Sequence, residues 1–319
     1  MNTIKTFNVV VTGKRELADD VVEFRFAYRT GAELPNWEPG AHIDVHIAEG
    51  IIRQYSLCGK PDDRAQWTIA VLREKQSRGG SKRLVEDINV GDEITVSEPR
   101  NHFSLIENSP RYLFIAGGIG ITPIIPMIEQ VSQGGRPWRL LYGGRTRASM
   151  AYLPELSAYA HRVTPHPQDE HGLLDLARAV SDAGPGTHVY CCGPEPLLAA
   201  LEVTMKSANR PAEELHVERF SAPKVVNESE NHVFEVVFAK SGFTKTVGPN
   251  ETILSVAEQA GLEVSTACRE GTCGSCETRV IDGEVDHRDW ILTEDERANA
   301  GVMMVCVSRC RGKRLVLDI

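Results

Sequence analysis

The sequence predicts a multidomain protein: an antiparallel β-barrel, then an α/β domain on a parallel sheet, then a smaller α+β domain. Three observations carry this. At 319 residues, the chain is longer than one hydrophobic core usually serves, so two or three domains are expected. The first hundred or so residues read as short alternating strands, whereas beyond Arg111 strands alternate with amphipathic helices. The polar stretch "SAPKVVNESEN" then separates a last, cysteine-rich segment. The boundaries expected are 1–105, 106–222, a linker at 223–231, and 232–319.

In the first part, "FNVVVTGKREL", "VVEFRFAY", "AHIDVHIA", "IIRQYSLCG", "WTIAVLRE" and "DEITVSEP" combine β-branched residues with period-two alternation. Six such strands between Gly, Pro and Asp turns predict a small barrel. One helix is expected to open at "GGSKRLVEDI". In the second part, "RYLFIAGG" reads as a buried strand and "ITPIIPMIEQVSQ" as a helix. The alternation continues through "WRLLYGG", "AYLPELSAYA", "HRVTPH", "GLLDLARAVSDAG", "THVYCCG", "PEPLLAALEVTMKSA" and "ELHVERF". In the third part, "HVFEVVFAKSGFTKTVGPN" predicts a hairpin, "TILSVAEQAG" a helix and "KRLVLDI" a strand.

Composition narrows the function classes. With 41% hydrophobic and 25% charged residues, the chain reads as an ordinary soluble protein. A net charge of −9 argues against a broad nucleic-acid surface. The most apolar run, "YLFIAGGIGITPIIPMI", is too punctuated by Gly and Pro to span a bilayer, so no membrane partner is expected. The opening "MNTIKTFNVVVTGK" lacks the order of a secretory leader, which predicts a cytoplasmic protein, taken as a monomer. There, eight cysteines are better read as metal ligands or buried small side chains than as disulfides.

Two turns on predicted strand ends point to a nucleotide. "AGGIGITP" places Gly117, Gly118, Gly120, Thr122 and Pro123 between a strand and a helix, where a sharp turn and free amides suit a pyrophosphate. A tight turn with packing glycines is the plain alternative. Cys192, Gly193 and Pro194 form a second such turn, with Pro194 expected at the first helical position. Cys192 could face a nicotinamide or simply be buried.

In the barrel, "RQYSL" has residue types that suit a flavin. Arg53 can pair with a phosphate, Tyr55 offers a ring, and Ser56 can hydrogen-bond near the hydride-accepting nitrogen. On residues alone it is equally an amphipathic strand. Gly79, Gly80 and Ser81 form a second candidate phosphate cradle at a helix start.

Four cysteines, Cys268, Cys273, Cys276 and Cys306, follow the C-x4-C-x2-C…C spacing of plant-type [2Fe–2S] ferredoxins. A zinc ribbon using Cys273, Cys276, Cys306 and Cys310 is the competing set. The small residues Gly271, Thr272, Gly274 and Ser275 favour the cluster, because they let backbone amides turn toward sulfur. Cys58 and Cys310 are then non-ligands. The run Asp286-His287-Arg288-Asp289 is read as a charged turn before a helix capped by Thr293 and Glu296.

"RQYSL", "GGIGITP" and "CGP" together resemble the ferredoxin–NADP reductase superfamily. With "CREGTCGSC", "DHRD" and "MVCVSR" added, the whole chain resembles the phthalate dioxygenase reductase family, which includes vanillate O-demethylase reductase components. The resemblance implies a β-grasp ferredoxin domain, FMN as flavin, NADH as donor and a Rieske-type terminal oxygenase as partner. It also implies that Gln54, Ala70 and Val71 lie at the flavin, and that Phe220 covers the flavin face where nicotinamide enters. Ser56, Cys192 and Phe220 become the candidate catalytic residues. Arg145 and Arg147 sit where the adenosine ribose is read, so NADPH stays open. A reductase of small acceptors such as ferric chelates is the competing function.

Overall fold

The computed structural model describes residues 4–74, 79–222 and 231–319; the expected linker lies outside them except for Asn231. The chain forms two compact units, Thr6–Phe220 and Ser221–Ile319, with Ile4 and Lys5 belonging to the latter. Among the described residues no helix is long and apolar enough to cross a membrane.

The first unit opens with β1 (Thr6–Ala18), β2 (Val21–Ala27), β3 (Ala41–Ala48), β4 (Ile51–Ser56), β5 (Trp67–Leu72), α1 (Gly80–Asp87), β6 (Glu93–Ser97) and β7 (Arg100–Asn101). The strands lie antiparallel in the order β4-β3-β6-β1-β2-β5, with β7 beside β3. A bridge between Leu57 and Ile69 joins the two ends and closes the barrel. Alternate residues, among them Phe24, Phe26, Ile43, Val45, Trp67, Ile69 and Val71, fill its interior. Each fully buried side chain of this size contributes roughly 1.5–3 kcal/mol.

The same unit continues with β8 (Arg111–Gly117), α2 (Ile124–Gln133), β9 (Trp138–Gly144), α3 (Leu153–Leu156), β10 (Val163–Pro167), α4 (Gln168–His171), α5 (Leu176–Ala183), β11 (Thr187–Cys192), α6 (Glu195–Ser207) and β12 (Leu215–Glu218). The parallel sheet runs β10-β9-β8-β11-β12. Tyr112, Phe114, Tyr142 and Tyr190 pack on the α2 face. Leu113, Ile115, Val189 and Cys191 pack against α5 and α6. Strand order reverses between β8 and β11, and such a switch point opens a ligand crevice at the strand C-termini.

The expected helix "AYLPELSAYA" is cut to one turn, Leu153–Leu156, followed by a 3-10 turn. Its start is set at Tyr152, the N-cap, held at φ 61°, where a side chain is disfavoured. That backbone places its ring in the cluster that the sheet domain shares with Val21, Cys58 and Ala70 of the barrel. The hydroxyl donates to Glu23 Oε2 at 3.2 Å and meets Cys58 Sγ at 3.2 Å. Burial pushes the phenol far above its ordinary pKa. Tyr152→Phe should destabilise this unit by about 1–3 kcal/mol, the cost of removing a partner from buried polar groups. Thermal melting would show it, and an unchanged midpoint would refute the network's role.

The second unit has β13 (Phe234–Phe238), β14 (Phe243–Val247), α7 (Ile253–Gln259), β15 (Glu277–Asp282), β16 (Val285–Asp286), α8 (Glu294–Asn299), β17 (Val302–Met304), β18 (Arg309–Cys310) and β19 (Arg314–Leu317). The main sheet runs β14-β13-β19-β15-β17, with β13 and β19 parallel and the β13–β14 hairpin as expected. Helix α7 buries Ile253, Leu254 and Ala257 on Phe234, Val236 and Leu317. This is the β-grasp arrangement. The capping box at Thr293 and Glu296 forms as expected.

Candidate functional site

At the switch point the two predicted nucleotide turns pack against each other. A Cβ at Gly120 would collide with the Cys192 carbonyl, and one at Gly117 would lie 2.7 Å from Pro194 Cδ. These two glycines therefore serve turn-on-turn packing. Gly118 differs: its φ is 56° and nothing surrounds it, so its backbone is open to a ligand. Thr122 is buried with its hydroxyl on the Ile119 carbonyl, and Pro123 caps α2. Pro194 is not the first helical residue as expected. Its ψ of 146° is extended, so it occupies the cap and α6 begins at Glu195.

Beside these turns, Ser56 of the barrel and Cys192 of the sheet meet on one carboxylate, Glu218 at the end of β12. Ser56 Oγ donates to Glu218 Oε2 at 3.5 Å, and Cys192 Sγ lies 3.9 Å from the same oxygen. All three come from strand ends, which is why the site is rigid. Burial, opposed by these hydrogen bonds, raises the Glu218 carboxyl to about 8. Burial also pushes the Cys192 thiol well up, so it stays a neutral thiol rather than a nucleophile. Glu218 is the site residue that sequence reasoning missed. Its only signal was an acid closing a half-buried strand in "HVERF".

The candidate flavin residues share one strand and helix start. Arg53 lies across Gly80, where a Cβ would come within 2.8 Å of its Cγ and Nε, while Gly79 is open at φ 92°. A guanidinium over a glycine helix start fits a phosphate. Ser81 Oγ accepts from Glu74 N–H at 3.3 Å. Tyr55 packs beside the barrel core, and Gln54 donates to Asp44 at 2.8 Å. Ala70 faces the nucleotide-sheet side, whereas Val71 points into the barrel, leaving only its backbone for a flavin. Phe220 is 46% exposed. Arg147 pairs with Glu170 at 3.2 Å, and Arg145 is exposed. Replacing Arg53 with Ala should lower flavin content after gel filtration; full retention would remove its phosphate role.

In the second unit, Cys273, Cys276 and Cys306 are buried and Cys268 is partly so. The four thiols interact with one another, with Cys306 meeting both Cys268 and Cys276. Cys273 hydrogen-bonds Cys268, pulling the latter's pKa strongly down. Cys306 hydrogen-bonds Cys276, lowering that thiol too. Four cysteine thiols gathered in one place is the donor set that a two-iron cluster requires. Among the described residues no group of His, Cys, Asp and Glu is arranged for a single metal ion. Cys310 Sγ turns away to the Arg314 carbonyl at 3.4 Å, which removes the zinc-ribbon set. The loop is shaped for inward amides: Gly271 and Gly274 both have φ 72°, and Glu270 N–H donates to Cys268 Sγ at 3.3 Å. Arg269 also holds positive φ, at 59°, braced by its ion pair with Glu258. The donor set thus fits a [2Fe–2S] group. Asp289 accepts from Leu292 N–H and braces a turn, as the charged-turn reading expects.

Three family models match the chain in order: an oxidoreductase FAD-binding domain at 8–105, an oxidoreductase NAD-binding domain at 114–202, and a 2Fe-2S iron-sulfur cluster binding domain at 237–311. Phthalate dioxygenase reductase of Burkholderia cepacia is 37% identical over 314 residues, covering 97% of this chain and 96% of its own. A solved phthalate dioxygenase reductase superimposes with a TM-score of 0.72 at 36% identity, over 98% of both chains. The chain belongs to the phthalate dioxygenase reductase family. As such it is an oxidoreductase with flavin, nicotinamide and [2Fe–2S] domains. Tetrachlorobenzoquinone reductase of Sphingobium chlorophenolicum is 38% identical over 325 residues, covering 100% and 99% of the two chains. Part of an intact type IV self-sufficient cytochrome P450 monooxygenase is similar, with TM-score 0.92 and 42% identity. It covers 98% of this chain, which spans only 41% of that one.

Proposed function

We propose that this chain takes hydride from NADH into FMN and passes single electrons through a [2Fe–2S] cluster to a Rieske-type terminal oxygenase, as a cytoplasmic monomer. The observation that carries the reading is the meeting of Ser56 and Cys192 on Glu218. It brings a barrel strand and a nucleotide-sheet strand to one point at the ligand crevice. Bound flavin supplies the conversion of a two-electron donor into one-electron steps. The protein's own residues hold the geometry. Arg53 and the Gly79–Gly80 turn hold the flavin phosphate, and the Gly118 and Gly193 turns hold the dinucleotide. Ser56 positions a hydrogen bond at the hydride-accepting atom, and Cys192 shapes the nicotinamide side. Phe220 stands as the movable cover, and Cys268, Cys273, Cys276 and Cys306 hold the cluster. The engagement of Arg147 by Glu170 supports NADH, because it leaves Arg145 alone to meet a 2′-phosphate.

A haem monooxygenase as electron acceptor is the second reading, favoured by the likeness to part of the self-sufficient P450 monooxygenase. The reduction of a small quinone or ferric chelate is the third. The test offers NADH-reduced protein a Rieske oxygenase, a P450 haem domain and a soluble quinone in turn. Fast reduction of the Rieske centre with coupled product formation is expected. Rapid turnover with the quinone alone would overturn the reading.

A further inference from the structure

Asp289 is a buried acid, 2% exposed, at the end of the run Asp286-His287-Arg288-Asp289. Its turn is wedged between the two segments that carry the cysteines. On one side lies the loop from Cys268 to Cys276. The Trp290 N–H donates to the Gly271 carbonyl at 2.9 Å, and a Cβ at Gly271 would stand 3.1 Å from Asp289 Cα. On the other side lies the segment after Cys306. Ser308 Oγ donates to Asp289 Oδ1 at 3.5 Å and accepts from the Arg288 N–H at 3.2 Å. Val307, between Cys306 and Ser308, closes on the same glycine: its Cγ2 would lie 2.7 Å from that Cβ. The acid is therefore fixed against both cysteine-bearing segments at once.

Its hydrogen-bond partners are donors, the company a carboxylate keeps. Oδ2 accepts from the N–H groups of Ile291 and Leu292 at 3.3 and 2.9 Å. The basic groups beside it are not bound tightly. Arg297 Nη2 stands 3.8 Å from Oδ2 and His287 Nδ1 stands 3.5 Å from Oδ1, both too far for a strong hydrogen bond. A fixed negative charge in a low-dielectric interior opposes the arrival of an electron nearby. Net charge and hydrogen bonding around the sulfurs are what set an iron–sulfur potential.

We propose that Asp289 tunes the [2Fe–2S] group: its buried carboxylate, held between the two cysteine-bearing segments, makes the cluster harder to reduce by one electron. The inference rests on the assignment of Cys268, Cys273, Cys276 and Cys306 as its ligands. Asp289 binds no iron and acts through its charge, part of which Arg297 offsets.

The test is a mediated redox titration of the holoprotein at one fixed pH, followed by the visible bleaching of the cluster and by the EPR signal of its reduced form. Asp289→Asn keeps an oxygen that can accept from the Leu292 N–H but loses the charge. It should assemble the cluster with unchanged iron and sulfide. It should also shift the one-electron equilibrium about tenfold toward the reduced cluster, which is a midpoint raised by roughly 59 mV. Arg297→Gln should shift the equilibrium the other way by about threefold, the smaller effect of a partly exposed cation. Arg297→Lys should restore the wild-type value. An unchanged midpoint in Asp289→Asn would overturn the proposal. So would shifts of one sign in both variants, because a loosened loop has no reason to follow charge. Loss of the cluster in Asp289→Asn would overturn it too, by making the residue part of the scaffold alone. A wild type that takes up no iron and sulfide would instead sink the ligand assignment, and the tuning with it.

Discussion

Replacing Cys273 with Ser should abolish NADH-driven cytochrome c reduction while leaving NADH–ferricyanide activity in place. Cys273 is buried and meets Cys268, so its loss leaves three thiols where a plant-type cluster needs four. Ferricyanide can collect electrons from the flavin, whereas cytochrome c reduction is assigned to the cluster. Iron and sulfide per chain should fall together in the variant. Cys310→Ser provides the contrast, because that thiol turns to the Arg314 carbonyl and the variant should keep its iron. Cytochrome c reduction surviving in Cys273→Ser would count heavily against the assigned path.

The second large effect is expected at Glu218. Its carboxyl rises from an ordinary 4.5 to about 8 on burial, so the folded chain holds a proton that the unfolded chain has shed. Between those values unfolding releases a proton. The stability contributed by neutral Glu218 is therefore complete below about 4.5 and is lost as pH rises through about 8. Glu218→Gln should melt with a flatter pH dependence from 6 to 9 than the wild type; parallel profiles would refute the shift. Glu218→Ala removes the shared acceptor of Ser56 and Cys192. It should slow flavin reduction by NADH about 100-fold, the scale of misplacing a reacting group by an ångström. Stopped-flow bleaching of the flavin would measure this.

Much of the architecture was legible because its signals are local. Period-two alternation in "VVEFRFAY" and "WTIAVL" sets Phe24, Phe26, Trp67, Ile69 and Val71 into the barrel interior, and the Thr293–Glu296 box announces a helix start within four residues. Elements set by distant contacts were not legible. The segment "AYLPELSAYA" carries helical periodicity, yet its helix starts only after Tyr152, whose hydroxyl is committed to Glu23, 129 residues away. The glycines of "AGGIGITP" looked like a ligand cradle, but Gly117 and Gly120 are small chiefly because another turn, from β11, packs on them.

By itself the sequence determined which chemical groups are available. The C-x4-C-x2-C spacing with Cys306, the arginine, tyrosine and serine of "RQYSL", and two glycine turns on strand ends are properties of local chain order, readable without coordinates. Only the tertiary structure decided which of them share a point in space. It brought Ser56 and Cys192, 136 positions apart in number, onto Glu218, and it sent Cys310 away from the other cysteines. The physical reason is that a buried carboxyl has no sequence signature of its own. Its proton, its partners and its role come from the low-dielectric crevice formed when strand ends from separate domains pack together.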